Sequence, residues 1–211
     1  MHIIAEEIAR YAENHTSPED PILHSLNRQT HLKALMPQML SGHLQGAFLK
    51  MVSQMVQPSR ILEIGTFTGY SAICLCAGLK PNGLLHTIDI NEELAPIQQH
   101  HFKAAQLEKQ IIQHTGNALD IIPMIDETFD LVFIDADKLN YENYYHLVFS
   151  KVRQNGFILA DNVLWSGKVL HNNKDKDTEA LHRFNQMVQN DPRVENLLLP
   201  LRDGMMLIRK R

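Results

Sequence analysis

Hydrophobic positions change their period near residue 60. Before it, two polar-faced helical stretches, about Met1–Asn14 and about Ile22–Met36, flank Ser17-Pro18-Glu19-Asp20-Pro21, whose prolines mark a turn or linker. Leu44, Phe48, Met51, Val52 and Met55 then recur at i, i+4, i+7, i+8 and i+11. That spacing predicts a third helix with one apolar face, capped by Ser41 and stopped by Pro58.

After residue 60, short β-rich runs alternate with helical ones. Strands are expected at Arg60–Ile64, Leu84–Ile90, Ile111–Thr115, Phe129–Asp135 and Phe157–Asp161. Between and after them come helical stretches at Tyr70–Leu79, Glu92–Leu107, Ala118–Asp126 (helix or turn), Tyr141–Lys151 and Thr178–Gln189. This alternation is the mark of βαβ units, hence a doubly wound, mostly parallel sheet with helices on both faces. Two terminal strands, about Val194–Leu199 and Gly204–Arg209, are joined only by Pro200-Leu201-Arg202-Asp203-Gly204. So short a link predicts a hairpin with the final strand antiparallel. The 211 residues are read as one domain, with N-terminal helices over 1–57 and the sheet over 58–211.

Composition narrows the picture by exclusion. Apolar residues at 44% and charged residues at 21% are ordinary for a globular chain, and no apolar run is long enough to span a membrane. Twenty Lys and Arg against 24 Asp and Glu give a net charge of −4, without the clustered cations that nucleic-acid binding needs. The acidic start, Ala5-Glu6-Glu7, is unlike a secretory signal. Cys74 and Cys76 are too close to staple a fold and lack redox or zinc spacing; a reduced, cytoplasmic protein is expected.

A doubly wound sheet binds ligands at the carboxyl ends of its strands, so those residues carry the chemistry. The first strand runs into Glu63-Ile64-Gly65-Thr66-Phe67-Thr68-Gly69. A dinucleotide fingerprint would need glycine at Phe67 and would not tolerate Glu63. An acid there suits a ligand with no phosphate and some positive charge. Asp89, 24 residues after Gly65, ends the second strand where an acid can accept both hydroxyls of a ribose; a helix N-terminal acid is the plainer alternative. His114-Thr115-Gly116-Asn117-Ala118 adds small residues at the same edge, completing an expected adenosine pocket. The fourth and fifth strands end in Asp135-Ala136-Asp137-Lys138 and Asp161-Asn162. Asp and Asn often cap helices. Two strand ends bearing Asp135, Asp161 and Asn162 beside an adenosine pocket nevertheless favour three hard oxygen ligands, suited to Mg²⁺, with Mn²⁺ or Ca²⁺ as alternatives.

Taken together, Glu63-Ile64-Gly65-Thr66-x-Thr68-Gly69-Tyr70-Ser71, Asp135-Ala136-Asp137-Lys138, Asp161-Asn162-Val163-Leu164-Trp165-x-Gly167 and Leu199-Pro200-Leu201-x-Asp203-Gly204 resemble the cation-dependent class I O-methyltransferases. That family includes catechol and caffeoyl-coenzyme A O-methyltransferases, and the likeness runs from about Met39 to the end of the chain. The resemblance implies a Rossmann-like sheet of seven strands with the last antiparallel, S-adenosylmethionine as methyl donor and a divalent metal. It implies that Leu40, Glu63, Gly65, Thr66, Tyr70 and Ser71 line the donor, that Asp89 holds its ribose, and that Asn117 and Ala118 border its adenine. Asp135, Asp161 and Asn162 would bind the metal, with Asp135 also near the donor's amino group. Trp165 would flank the acceptor ring, though it could equally anchor the core. Lys138 is the candidate catalytic proton acceptor, against the commoner role of a solvated helix-start lysine. Arg202 departs from the family pattern, standing where a small residue is usual.

The expected activity is methyl transfer to a small vicinal diphenol, by a homodimer paired partly through its N-terminal helices. The rivals are a donor-binding module without catalysis and, on the same sheet, a nicotinamide-dependent dehydrogenase. Ser166–Asp177 reads either as a loop near the acceptor or as a solvated connection.

Overall fold

The computed structural model describes residues 4–211, so the opening of the first expected helix lies outside the described residues. Three helices come first: α1 (Glu6–Asn14), α2 (Pro21–Lys33) and α3 (Gly42–Val56). They are followed by β1 (Arg60–Ile64), α4 (Tyr70–Cys76), β2 (Leu84–Asp89), α5 (Ala95–Ala104), β3 (Ile111–Thr115), α6 (Ala118–Met124), β4 (Phe129–Ile134), α7 (Tyr141–Phe149), β5 (Val152–Ala160), α8 (Lys176–Gln189), β6 (Val194–Leu199) and β7 (Met205–Lys210). Seven strands pair in the order β3-β2-β1-β4-β5-β7-β6. Only β7 is reversed, pairing antiparallel with both β5 and β6. This is the expected doubly wound sheet with its antiparallel last strand.

Side chains of successive strand residues point to opposite faces, and two cores result. Leu62, Ile64, Val132 and Ile134 pack under α6, α7 and α8. Ile61, Leu131, Phe133 and Leu159 pack under α3, α4 and α5. By the same alternation Glu63 is aimed into the second layer, fully buried beside Thr87. Among the described residues no helix is long and apolar enough to cross a membrane, and Cys74 and Cys76 are free and buried.

The third helix departs from its expected face. Gln45, Gly46, Leu49, Val52 and Ser53 are buried, whereas Met51 and Met55 are exposed. The cause is close packing on α4 and its end. A Cβ on Gly46 would lie 2.6 Å from Tyr70, and one on Gly78 would lie 2.1 Å from the Ser53 backbone. Small residues permit that approach, and the Ser53 hydroxyl is satisfied by the Leu75 carbonyl at 2.5 Å. Ser41 is not a side-chain cap: its backbone is already helical and its hydroxyl makes no capping bond. The fifth strand begins at Val152 rather than Phe157, because a register shift between Phe129 and Leu131 extends its pairing with β4. Residues 165–170 form a kinked turn in which Ser166 and Gly167 are left-handed, and α8 begins at Lys176.

At Gly65 a Cβ would stand 1.9 Å from the Asp135 carbonyl oxygen, with φ at +101°; at Gly42, φ is +75° but nothing lies within 4 Å. Gly65→Ala should therefore cost about 2–4 kcal/mol or prevent folding, from backbone displacement added to dihedral strain. Gly42→Ala should cost only the dihedral term, about 1–2 kcal/mol. Urea unfolding of the two variants checks the difference.

Candidate active site

The site forms where β1, β2, β4 and β5 end side by side. Gly65, Phe67 and Gly69 all adopt positive φ, of 101°, 48° and 92°, which folds the turn after β1 back on itself. Asp89 closes that turn: its Oδ2 accepts from Phe67 N at 2.6 Å and its Oδ1 from Asn91 N at 2.9 Å. Thr87 donates to Glu63 Oε2 at 2.6 Å and shares a 2.5 Å bond with Thr66. The other carboxyl oxygen, Oε1, is buried with no hydrogen-bond partner among the described residues. Burial above all, with the nearby Asp135 and Asp89 charges adding, pushes the Glu63 carboxyl up to about 8.

The remaining residues expected around a donor are arranged less uniformly. Ser71 is buried on the first turn of α4. Tyr70 is committed elsewhere: its hydroxyl donates to Glu19 at 2.6 Å, tying α4 to the segment before α2. Leu40 is buried in the core beneath α3 and α4. Asn117 caps α6 through a 3.0 Å bond from Leu119 N, leaving Ala118 buried on its first turn.

On the other side the carboxylate of Asp135 meets a lysine. Lys138 Nζ donates to Asp135 Oδ1 at 3.3 Å, Asn162 Oδ1 at 2.8 Å and Tyr141 Oη at 2.7 Å. Tyr141 in turn donates to the Asp161 carbonyl at 2.9 Å. The ammonium lies 5.7 Å from the centre of the Trp165 ring, a cation–π distance. Asp161 is buried, with Oδ1 accepting from Asn162 N at 2.7 Å and Oδ2 from Gln45 Nε2 at 2.6 Å. Burial first, then the Asp135 charge, pushes its carboxyl up to about 7. Asn162, Trp165 and Ser166 have positive φ, at 60°, 47° and 54°. This strained run is pinned to the β6–β7 hairpin by bonds from Val163 N to the Gly204 carbonyl (3.1 Å) and from Leu164 N to that of Asp203 (2.9 Å).

The structure thus gathers Lys138, Asp135, Asp161, Asn162 and Trp165 in one cluster and Glu63, Gly65, Thr66 and Asp89 in another, joined where Gly65 meets Asp135. Sequence patterning missed Gln45 and Tyr141. Tyr141 was detectable as the i+3 neighbour of Lys138; Gln45 was hidden because the apolar face of α3 was assigned to the wrong side. Among the described residues no three His, Cys, Asp or Glu side chains are gathered as a metal-ligand set; the candidate oxygens are two carboxylates and one amide.

A doubly wound sheet with a reversed last strand, carrying an acid-bearing glycine turn at its carboxyl edge, is the frame of an S-adenosylmethionine-dependent methyltransferase. Residues 13–211 match the family model described as O-methyltransferase, and the chain belongs to that family. It is 34% identical to a catechol O-methyltransferase of Niastella koreensis, over 97% of this chain and 96% of the relative. It is 28% identical to a probable caffeoyl-CoA O-methyltransferase of Dictyostelium discoideum, over 99% and 91%. Its fold matches an O-methyltransferase of Bacillus cereus solved in complex with SAH (S-adenosylhomocysteine), with a TM-score of 0.89, 30% identity and 97% of each chain covered. An O-methyltransferase of Streptomyces achromogenes solved with SAM superposes with a TM-score of 0.88 at 29% identity, covering 98% of this chain and 99% of that one.

Glu63 provides a test of the donor side. Its folded-state pKa is raised, so the folded protein holds a proton that the unfolded chain has released above about pH 4.5. The Glu63 contribution to ligand-free stability should fall as pH rises from about 4.5 to about 8, by at most about 1.4 kcal/mol per unit, and level off above, on top of the slope that Asp161 adds up to about pH 7. Glu63→Gln should remove the Glu63 part of the slope and leave that of Asp161. Urea unfolding at intervals from pH 5 to 9 checks it; parallel curves for wild type and variant would assign the proton elsewhere.

Proposed function

We propose that this O-methyltransferase moves the methyl group of S-adenosylmethionine to one hydroxyl of a small vicinal diphenol held on a divalent cation, with residues 1–57 and 58–211 acting as one domain. The observation that carries the reading is the convergence of Asp135 Oδ1 and Asn162 Oδ1 on one positive charge, beside a buried Asp161. That donor set is all oxygen, which fits Mg²⁺ or Mn²⁺. The raised pKa of Asp161, caused by burial and the Asp135 charge, is compatible with that reading, since added positive charge would favour its ionised form. Two free, buried cysteines suit a reducing compartment such as the cytoplasm.

Under this reading Asp135, Asp161 and Asn162 hold the cation. Bound there, the cation would supply acidification of an acceptor hydroxyl. The chain's own residues do the rest. Lys138 spends its three protons on Asp135, Asn162 and Tyr141. Two of those oxygens are the ones assigned to the cation, so its binding would displace the ammonium from them. Freed from those two oxygens and having given one proton to solvent, the Lys138 amine would be placed to take the hydroxyl proton, with Tyr141 Oη still accepting from it. Trp165, within cation–π distance of Lys138, supplies a flat apolar wall for a ring. Glu63, with an unpartnered oxygen, would give up its proton on binding to complement the positively charged end of the donor, and Asp89 keeps lone pairs free for its ribose hydroxyls. Alignment of this kind can supply about 7–11 kcal/mol of barrier reduction.

Asp161→Ala should lower methyl transfer by about 10²–10³ or more, comparable to deleting a group that stabilises a developing oxyanion. Donor affinity, measured by calorimetry, should change little. Asp135→Ala should weaken both. Excess chelator should reproduce the Asp161→Ala loss in the wild type, with added Mg²⁺ restoring only the wild type. Full turnover of a vicinal diphenol in chelator would remove the cation from the reaction.

We further propose that the protein is a homodimer paired through its N-terminal helices. Ile8 and Tyr11 on α1, Leu32 on α2 and Met51 and Met55 on α3 are largely exposed, and Leu35 is 98% exposed. So much apolar surface on adjoining elements suits burial against a second copy. Sedimentation at micromolar concentration should give about twice the chain mass of 24.2 kDa; the single-chain mass would contradict the pairing.

A further inference from the structure

The acid cluster is braced by a side chain that the chemistry does not use. Arg202 lies in the β6–β7 connection with φ at +49°, a conformation that a non-glycine residue holds only where its surroundings over-determine it. Its Nη1 donates to the Ser41 carbonyl beside the start of α3 and to Gln45 Oε1 at 2.9 Å. Gln45 is fully buried and passes the bond on, Nε2 donating to Asp161 Oδ2 at 2.6 Å. The polarity of this chain is enforced by chemistry. A guanidinium can only donate, so it must face the amide oxygen, which leaves the amide nitrogen for the carboxylate. With Arg202 gone, the amide oxygen loses its anchoring donor, and only the bond to Asp161 itself is left to fix the position of the Gln45 head group.

We propose that Arg202 is a positioning residue. Through Gln45 it holds the Asp161 carboxylate in the orientation that serves a divalent cation. The proposal rests on the metal reading above and adds to it a determinant outside the ligand set, on a hairpin that joins the chain last. It also gives a reason for the departure at this position, where the family resemblance has a small residue.

Charge and geometry predict opposite signs. If Arg202 acted only as a nearby positive charge, removing it would strengthen cation binding. As a brace, its removal weakens binding. The test is calorimetric titration of Mn²⁺ into the protein saturated with S-adenosylhomocysteine, for wild type, Arg202→Met, Gln45→Leu and the double variant. S-adenosylhomocysteine affinity and thermal midpoint are measured alongside. Arg202→Met should weaken Mn²⁺ binding by about 10-fold, within the range of about 10–100-fold for losses of groups that orient metal ligands. Its S-adenosylhomocysteine affinity should stay within about twofold, as a role confined to orienting a ligand requires. The double variant should be no worse than the worse single variant, because residues acting in series do not add. Unchanged or tighter Mn²⁺ binding in Arg202→Met overturns the proposal, as does a parallel loss of S-adenosylhomocysteine affinity or a multiplicative double variant. A wild type that binds S-adenosylhomocysteine but no Mn²⁺ overturns the metal reading and the brace together, an outcome distinct from failure of the brace alone. Gln45 is buried, so if Gln45→Leu fails to fold, Arg202→Met on its exposed side chain decides the matter.

Discussion

The contact on which the rest of the site depends is between two stretches of backbone. Gly65, at the end of β1, lies against the Asp135 carbonyl at the end of β4 so closely that no side chain fits between them. This approach sets the glycine turn, with Glu63 and Asp89, directly beside Asp135, Lys138 and Asp161. A methyl donor bound on one side and an acceptor on the other would then meet over the carboxyl ends of adjacent strands. The geometry follows from strand order: β1 lies between β2 and β4, and β4 between β1 and β5. Four strand ends from distant parts of the chain therefore present their terminal residues along one edge.

The electrostatics of that edge are unbalanced. Glu63, Asp89, Asp135 and Asp161 gather there, and Lys138 is the cation that meets Asp135. Two of the carboxyls, Glu63 and Asp161, are pushed upward by burial and by the charge of Asp135. In a core selected for stability alone, apolar residues would be cheaper. Such a cluster is held together by its surroundings: hydroxyls from Thr66 and Thr87, amides from Gln45 and Asn162, and the tyrosine behind Lys138. Positive charge arriving with a ligand relieves the imbalance, which makes the ligand part of the stability of the site.

Much of this architecture was legible along the chain, for a definite reason. A buried parallel strand reads as an apolar run that stops at its functional end, so Ile64, Ile88, Ile134 and Ala160 announce the residues after them. Strands β1, β3 and β6 have the bounds their patterns predict, and the hairpin before β7 follows from the brevity of its link. Residues Glu63, Asp89, Asp135, Asp161 and Asn162 were identifiable because each stands where a strand ends, a position defined by local pattern.

Other features were decided only by the tertiary structure, because they arise between segments far apart in sequence. The buried face of α3 is chosen by Gly46 and Gly78 meeting Tyr70 and Ser53, a matter of how closely two helices approach, whereas periodicity records only where apolar residues recur. Tyr70 spends its hydroxyl on Glu19, 51 residues earlier. Gln45 reaches Asp161 across 116 residues, and Arg202 reaches Gln45 across 157. Local pattern reports which residues face a core and where strands stop. It carries no information about which buried polar group will find which partner, since that depends on distances that exist only after the sheet has assembled.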